Sequence, residues 1–169
     1  RLDADASIGS ISGAGTIELQ SYQLTTGGTN ADTTFSGIIA GATGGSLVKT
    51  GNGVLSLSGA NTYTGATTIQ SGALLISNPG SLGTSAGATS IDSGAALHLQ
   101  GDITLGDDVS IAGSGLSSTG VLRNISGDNT LTGLITLTAD SELQSDSGTL
   151  TFDVASGQAL TGAFGLTFD

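Results

Sequence analysis

Residues 47–74 read LVKTGNGVLSLSGANTYTGATTIQSGAL, and the spacing within this stretch decides the fold. Its apolar residues alternate with small polar ones in short runs such as Val54–Leu57 and Thr67–Ile69. A period of two is typical of β-strands, which turn successive side chains to opposite faces. Glycine recurs between Gly51 and Gly72 too often for a helix to persist. The stretch therefore predicts short strands joined by tight corners.

The same alternation continues along the whole chain. Comparable runs next to glycine or other turn-forming residues include Thr16–Leu19, Ala96–Leu99, Leu134–Leu137 and Leu150–Phe152. The spacing of an amphipathic helix never persists over three turns. The sequence is therefore predicted to be all-β.

A repeated segment favours one all-β architecture over the others. Gly59–Gly65 (GANTYTG) returns as Gly127–Gly133 (GDNTLTG), with a looser copy at 28–37. A solenoid reuses one pattern because each turn contacts equivalent neighbours. We predict a right-handed parallel β-helix, a single solenoid segment over 1–169, with an antiparallel β-sandwich as the alternative. At about 20–25 residues and about 4.8 Å per turn, it makes roughly seven or eight turns, a rod of about 35 Å.

Composition excludes several classes of protein. Glycine, serine and threonine, with 29, 23 and 24 residues, make up about 45 % of the 169 residues. Only 3 residues are basic against 14 acidic ones, which argues against binding nucleic acid through a basic face. The chain has no cysteine, so it has neither disulfides nor thiolate ligands. Its longest apolar run, Ala73–Ile76, is far too short to span a bilayer.

The stretch 47–74 also resembles a known repeat. Its Lys49-Thr50-Gly51 and the later LSGANTYTG of 57–65 are similar to the passenger-associated repeat of bacterial autotransporters. Weaker echoes lie at 8–40 and 120–137.

This resemblance implies a β-helical stalk on the outer surface of a Gram-negative bacterium. The chain is then a fragment or repeat unit of a longer surface or extracellular protein, a structural and adhesive segment that extends and can self-associate into fibres. Its partners would be further copies of the repeat, in tandem or end to end, with lateral self-association or contact with a surface glycan as alternatives. Any membrane attachment would pass through a translocator domain outside these 169 residues.

No residue is predicted to be catalytic, to bind a cofactor or to ligate a metal. His98, the only histidine, lies between Leu97 and Leu99 and is expected to point outward into solvent. Asp102, Asp107 and Asp108 offer oxygen ligands of the type that calcium takes, but they read equally well as solvated corners.

A glycan-active lyase or hydrolase on the same scaffold is the alternative function. Such an enzyme needs a base with cationic partners, or a pair of carboxylates in a cleft. Lys49 and Arg123 fall in different repeats, which disfavours the first arrangement. The candidate carboxylates are scattered along the C-terminal third, at Asp140, Glu142, Asp146 and Asp153. The chain is therefore predicted not to be an enzyme.

Two further sets of polar residues have structural interpretations. The asparagines of the repeated segment, Asn30, Asn61 and Asn129, either stack as an amide ladder or form corners in the left-handed region. Between Thr33 and Ile91 the only charge is Lys49, so this part should present hydroxyls to water. The side chains expected to point outward are Ser56, Ser58, Thr62, Thr64, Thr67 and Thr68.

Overall fold

The computed structural model describes residues 1–41, 43–155 and 157–169, and they form a parallel β-solenoid of about seven turns. Each turn runs across three faces in order. Every strand pairing in the described residues is parallel, which excludes the antiparallel sandwich.

The first face contains one strand from every turn. In chain order its strands are β1 (Ala6–Ile8), β3 (Gln23–Thr26), β6 (Ser46–Lys49), β8 (Thr67–Ile69), β10 (Thr89–Ile91), β13 (Val109–Gly113), the start of β16 (Ile135–Ser145) and β18 (Leu160–Thr161). Paired residues of neighbouring turns are 18 to 28 positions apart, so the turn length varies more widely than the predicted 20–25 residues.

The second and third faces complete each turn. The second contains β4 (Thr33–Phe35), β7 (Val54–Leu57), β9 (Ala73–Ile76), β11 (Ala96–Gln100), β14 (Leu122–Ser126), the end of β16 and β19 (Leu166–Phe168). The third contains β2 (Thr16–Glu18), β5 (Ile38–Ala40), β12 (Thr104–Leu105), β15 (Asn129–Leu131) and β17 (Leu150–Phe152). In the two turns between β5 and β12 this face is formed by turns and coil.

The core is a set of aliphatic columns parallel to the axis, because the register places like residues above one another. One column on the second face consists of Leu55, Leu74, Leu97, Leu122 and Leu143, all of them buried. Such stacking buries apolar area at every turn, so stability accumulates along the axis.

Helical structure is minor. One 3₁₀ turn, Leu116–Ser118, lies in the corner between β13 and β14. Among the described residues, no helix has the length and apolar character needed to cross a membrane.

Candidate functional site

A column of hydroxyl groups follows the outer side of the first face in every turn but the third, where Val48 takes the place. It is defined here as the hydroxyl column, and its members in register are Ser7, Thr25, Thr68, Ser90, Ser110, Thr136 and Thr161, with Val48 in the third turn. Ser90 Oγ donates to Thr68 Oγ1 at 3.3 Å, and the Thr136 and Thr161 hydroxyls are 3.4 Å apart. Adjacent members lie about one strand spacing, about 4.8 Å, apart.

The middle turns have no charged side chain on their surface. Lys49 is the only charged residue between Asp32 and Asp92, and it is only 1 % exposed. Of the hydroxyl residues expected outside, Ser56, Ser58, Thr62, Thr64 and Thr68 are exposed or half-buried. The expectation for Thr67 was wrong: its side chain points inward in line with Ile69, and its Oγ1 lies 2.6 Å from the buried Tyr63 hydroxyl.

The buried side chain of Lys49 binds backbone carbonyls at one corner of the solenoid from the inside. It follows Leu47 on the inner side of β6, and its Nζ donates to the carbonyls of Thr50 and Gly51, both at 2.8 Å. A third bond, at 3.1 Å, reaches the Ser71 carbonyl in the next turn. Burial lowers the pKa of the ammonium to about 8, and the carboxylate of Asp32 opposes that shift. The ammonium thus ties two consecutive turns together.

His98 points away from the core as predicted, but the prediction that it is solvated was wrong. It lies in register between Leu75 and Arg123 of the neighbouring turns and is only 8 % exposed. Its Nε2 has no hydrogen-bond partner in residues 1–41, 43–155 and 157–169. Burial, helped by the nearby Arg123 guanidinium, lowers the pKa of the imidazole to about 4. A neutral, covered histidine is poorly placed for proton transfer with a substrate.

The aspartates that could offer oxygen ligands to calcium do not share one hydrogen-bond partner. Asp102 Oδ1 accepts the Asp128 amide at 2.7 Å, and Asp108 Oδ1 accepts the Leu134 amide at 2.8 Å. Asp107 is buried. Within 1–41, 43–155 and 157–169, no three His, Cys, Asp or Glu side chains gather as metal ligands would.

Aspartates link successive turns, a role that sequence reasoning missed. Four more of them accept a backbone amide from the next turn at 2.7–2.9 Å: Asp5 from Gln23, Asp32 from Val54, Asp128 from Thr149 and Asp140 from Gly165. Three of the four, Asp5, Asp32 and Asp128, directly precede the first residue of a strand, and this position is the signal that could have revealed them.

The groups proposed for a glycan-active enzyme do not converge. Arg123 forms a two-pronged ion pair with Asp146, with its Nε and Nη2 at 3.0 and 2.7 Å from the carboxylate oxygens. Lys49 is buried in another corner, and Asp140 already binds Gly165. A groove of about 280 Å³ lies at the C-terminal end of the solenoid, bordered by apolar residues that include Leu143, Leu150, Phe152 and Phe168.

The three repeat asparagines do not form a ladder. Asn61 and Asn129 are buried and accept the amides of Ile39 and Ile103 from the preceding turn, at 2.8 and 2.9 Å. Asn30 instead occupies a corner with φ 59° and accepts the Asn52 amide. The corner interpretation is thus correct for Asn30, whereas the other two connect turns.

A family comparison agrees with this geometry. Residues 47–76 match the model described as passenger-associated-transport-repeat. The matched segment begins at Leu47, which is buried in β6, and ends at Ile76 in β9. It includes Lys49 and Asn61. The chain contains an autotransporter passenger repeat. This repeat spans four strands, β6 to β9, and is therefore longer than one turn.

A relative extends the similarity beyond the repeat. Over 105 residues the chain is 34 % identical to the adhesin BmaC autotransporter of Brucella suis biovar 1 (strain 1330). The match covers 62 % of this chain and 3 % of the relative, so the chain spans a small part of that protein's length. No solved structure gives a significant match.

Proposed function

We propose that the chain is a segment of the β-solenoid stalk of a bacterial surface or secreted adhesin. The observation that carries this proposal is the unbroken parallel stack of about seven turns, which contains a passenger repeat. A rod held by contacts between neighbouring turns holds whatever it carries at a fixed distance from its base. The similarity to an autotransporter adhesin supports a location outside the cell.

The partner we propose is a further turn of the same kind. Phe168 continues the inner leucine column above Leu143, yet it is 60 % exposed. Beside it lies the groove bordered by Leu150 and Phe152. A parallel strand placed on β19 would cover this ring and extend the column, whether it belongs to the same polypeptide or to a second copy.

A lateral contact is the second part of this proposal. The hydroxyl column crosses middle turns whose surface has no charge, although the chain as a whole has a net charge of −11. Hydroxyl groups both donate and accept hydrogen bonds, so such a surface suits another copy or a neutral glycan. No reaction is assigned, because the groups that could perform one are buried, as Lys49 and His98 are, or already paired, as Arg123 is.

Removal of residues 1–169 from the full-length protein tests the stalk assignment. Seven turns at about 4.8 Å each predict that the rod seen by electron microscopy shortens by about 34 Å while its thickness stays the same. Adhesion should fall with this reach, and export should persist. A rod of unchanged length, or a turnover of polysaccharide that disappears in Arg123→Ala, would contradict the assignment.

A further inference from the structure

One corner of the solenoid is built from glycine in every central turn except one. Thr67, Thr89 and Val109 are register partners in three successive turns, so the residues two positions before each of them are also aligned. Ile135 is the register partner of Val109 in the turn that follows, so the aligned positions in the four turns are Gly65, Gly87, Asp107 and Gly133. A Cβ atom at Gly87 or Gly133 would overlap a backbone carbonyl of the turn beneath it. Asp107 therefore carries a carboxyl group at a position where the neighbouring turns have glycine and no side chain.

The surroundings of Asp107 leave its carboxyl poorly satisfied. The residue is 2 % exposed, and its Oδ1 has no hydrogen-bond partner within the described part of the chain. Among the residues that the structure describes, two hydroxyl oxygens of the turn beneath, Thr84 Oγ1 and Thr89 Oγ1, also lack hydrogen-bond partners. The Thr89 amide joins the two turns, since it donates to the Asp108 carbonyl at 2.9 Å. Thr84 lies three residues before Gly87, the residue aligned with Asp107, and its carbonyl accepts the Gly87 amide at 3.1 Å.

The protonation state of the carboxyl decides what its burial costs, since a threonine hydroxyl can donate to either form but only the ionised form carries a charge. An ionised carboxylate only accepts hydrogen bonds, and burying it without partners is costly. A protonated carboxyl has an O–H that a threonine hydroxyl can accept. We propose that Asp107 makes this corner pH-sensitive: the uncharged carboxyl joins the turns of β10 and β13, and its ionisation at neutral pH loosens them.

The charges around the corner favour the uncharged form. Burial raises the pKa of Asp107 to about 6; its own backbone amide opposes the shift, and Asp108 adds to it. The titratable groups that face it are Asp108 and the buried Tyr63, since β10, β12, β13 and the adjoining residues 84–88 and 132–134 contain none. Burial also raises the pKa of Tyr63, so that phenol stays neutral.

The sign of the effect follows from these shifts. The folded chain keeps the Asp107 proton up to pH about 6, whereas the unfolded chain releases it near its ordinary value of 3.8. This contribution to stability is thus complete below pH about 4 and is lost as the pH rises through about 6. His98 has the opposite dependence, because its lowered pKa costs stability as the pH falls from 6.5 to about 4.

Urea unfolding of the full chain between pH 4 and 7 tests the proposal with Asp107→Asn. Relative to the native chain, the folding equilibrium constant of this variant should rise about 100-fold from pH 4 to pH 7, since a shift of about two pH units is a factor of about 100. The variant should also lose stability more steeply on acidification, because Asp107 no longer offsets the opposite dependence of His98. A ratio that does not change with pH would overturn the proposal.

Tyrosine fluorescence gives a local measurement in the folded state. The chain has no tryptophan and two tyrosines, so Tyr22→Phe leaves Tyr63 as the only emitter. Its emission should titrate near pH 6 and should stop titrating when Asp107→Asn or Asp107→Gly is added. Asp108→Asn is the matched control: it retains an acceptor for the Leu134 amide, so the titration should persist, moved to lower pH because the Asp108 charge that helps raise the pKa of Asp107 is gone. Emission that titrates equally with and without Asp107 would refute the assignment.

Discussion

Gly59→Ala should lower the free energy of unfolding by about 3 kcal/mol, a large effect for one methyl group. A Cβ at Gly59 would overlap the Gly37 carbonyl oxygen and lie 2.9 Å from its carbon. Both atoms belong to the backbone of the preceding turn, so no side chain can rotate away to make room. The methyl group would therefore push two turns of the stack apart, and urea unfolding would measure the loss.

Gly28→Ala is the matched control. Neither glycine has φ in the left-handed region, and a Cβ at Gly28 meets no atom within 4 Å. This substitution should leave stability unchanged or raise it by up to about 1 kcal/mol, because alanine restricts the unfolded chain. Equal losses for the two variants would mean that contact between turns is not what requires glycine at position 59.

Lys49→Ala should cost about 2–4 kcal/mol, the second large effect. The substitution removes a buried stem and the donor for three carbonyls, of which the Ser71 carbonyl belongs to the next turn. Thermal and urea unfolding would show the loss as a lower midpoint with a cooperative transition.

Lys49→Met separates packing from hydrogen bonding. Methionine restores most of the buried volume but offers no donor, so its loss should be smaller than that of alanine and still measurable. Arg1→Ala should have no effect, since that side chain is exposed and its ion pair with Asp3 lies at the surface. Native stability in Lys49→Ala would show that the ammonium does not hold the corner.

The strands and their stacking could be predicted from local spacing, and the sites only in part. The alternation in Val54–Leu57 and the repeated GANTYTG were sufficient for a solenoid. The same alternation puts Lys49 on the same side of its strand as Leu47, and Thr67 on the same side as Ile69. Both polar side chains therefore point inside. Their polarity argued for the surface, and the periodicity proved the stronger guide.

Contacts between turns could not be predicted, because corner lengths vary. Because the turns vary from 18 to 28 residues, the register could not be read from the sequence, which could not show that Leu75 and Arg123 cover His98. The 68 residues between Asn61 and Asn129 correspond to three turns of the third face, whereas the 31 residues from Asn30 correspond to no whole number of turns. The unpaired position of Asp107 likewise depends on which residues lie above and below it.

Removal of one complete turn tests the central claim, the parallel stack, most directly. Deleting 67–88 joins Ala66 to Thr89, so that Thr89 and Ile91 replace their register partners Thr67 and Ile69. This chain should keep its β circular dichroism and unfold cooperatively, whereas deletion of 67–77 alone, about half a turn, should abolish cooperative unfolding. Two deletions of equal effect, or an unfolded product from the first, would contradict the solenoid.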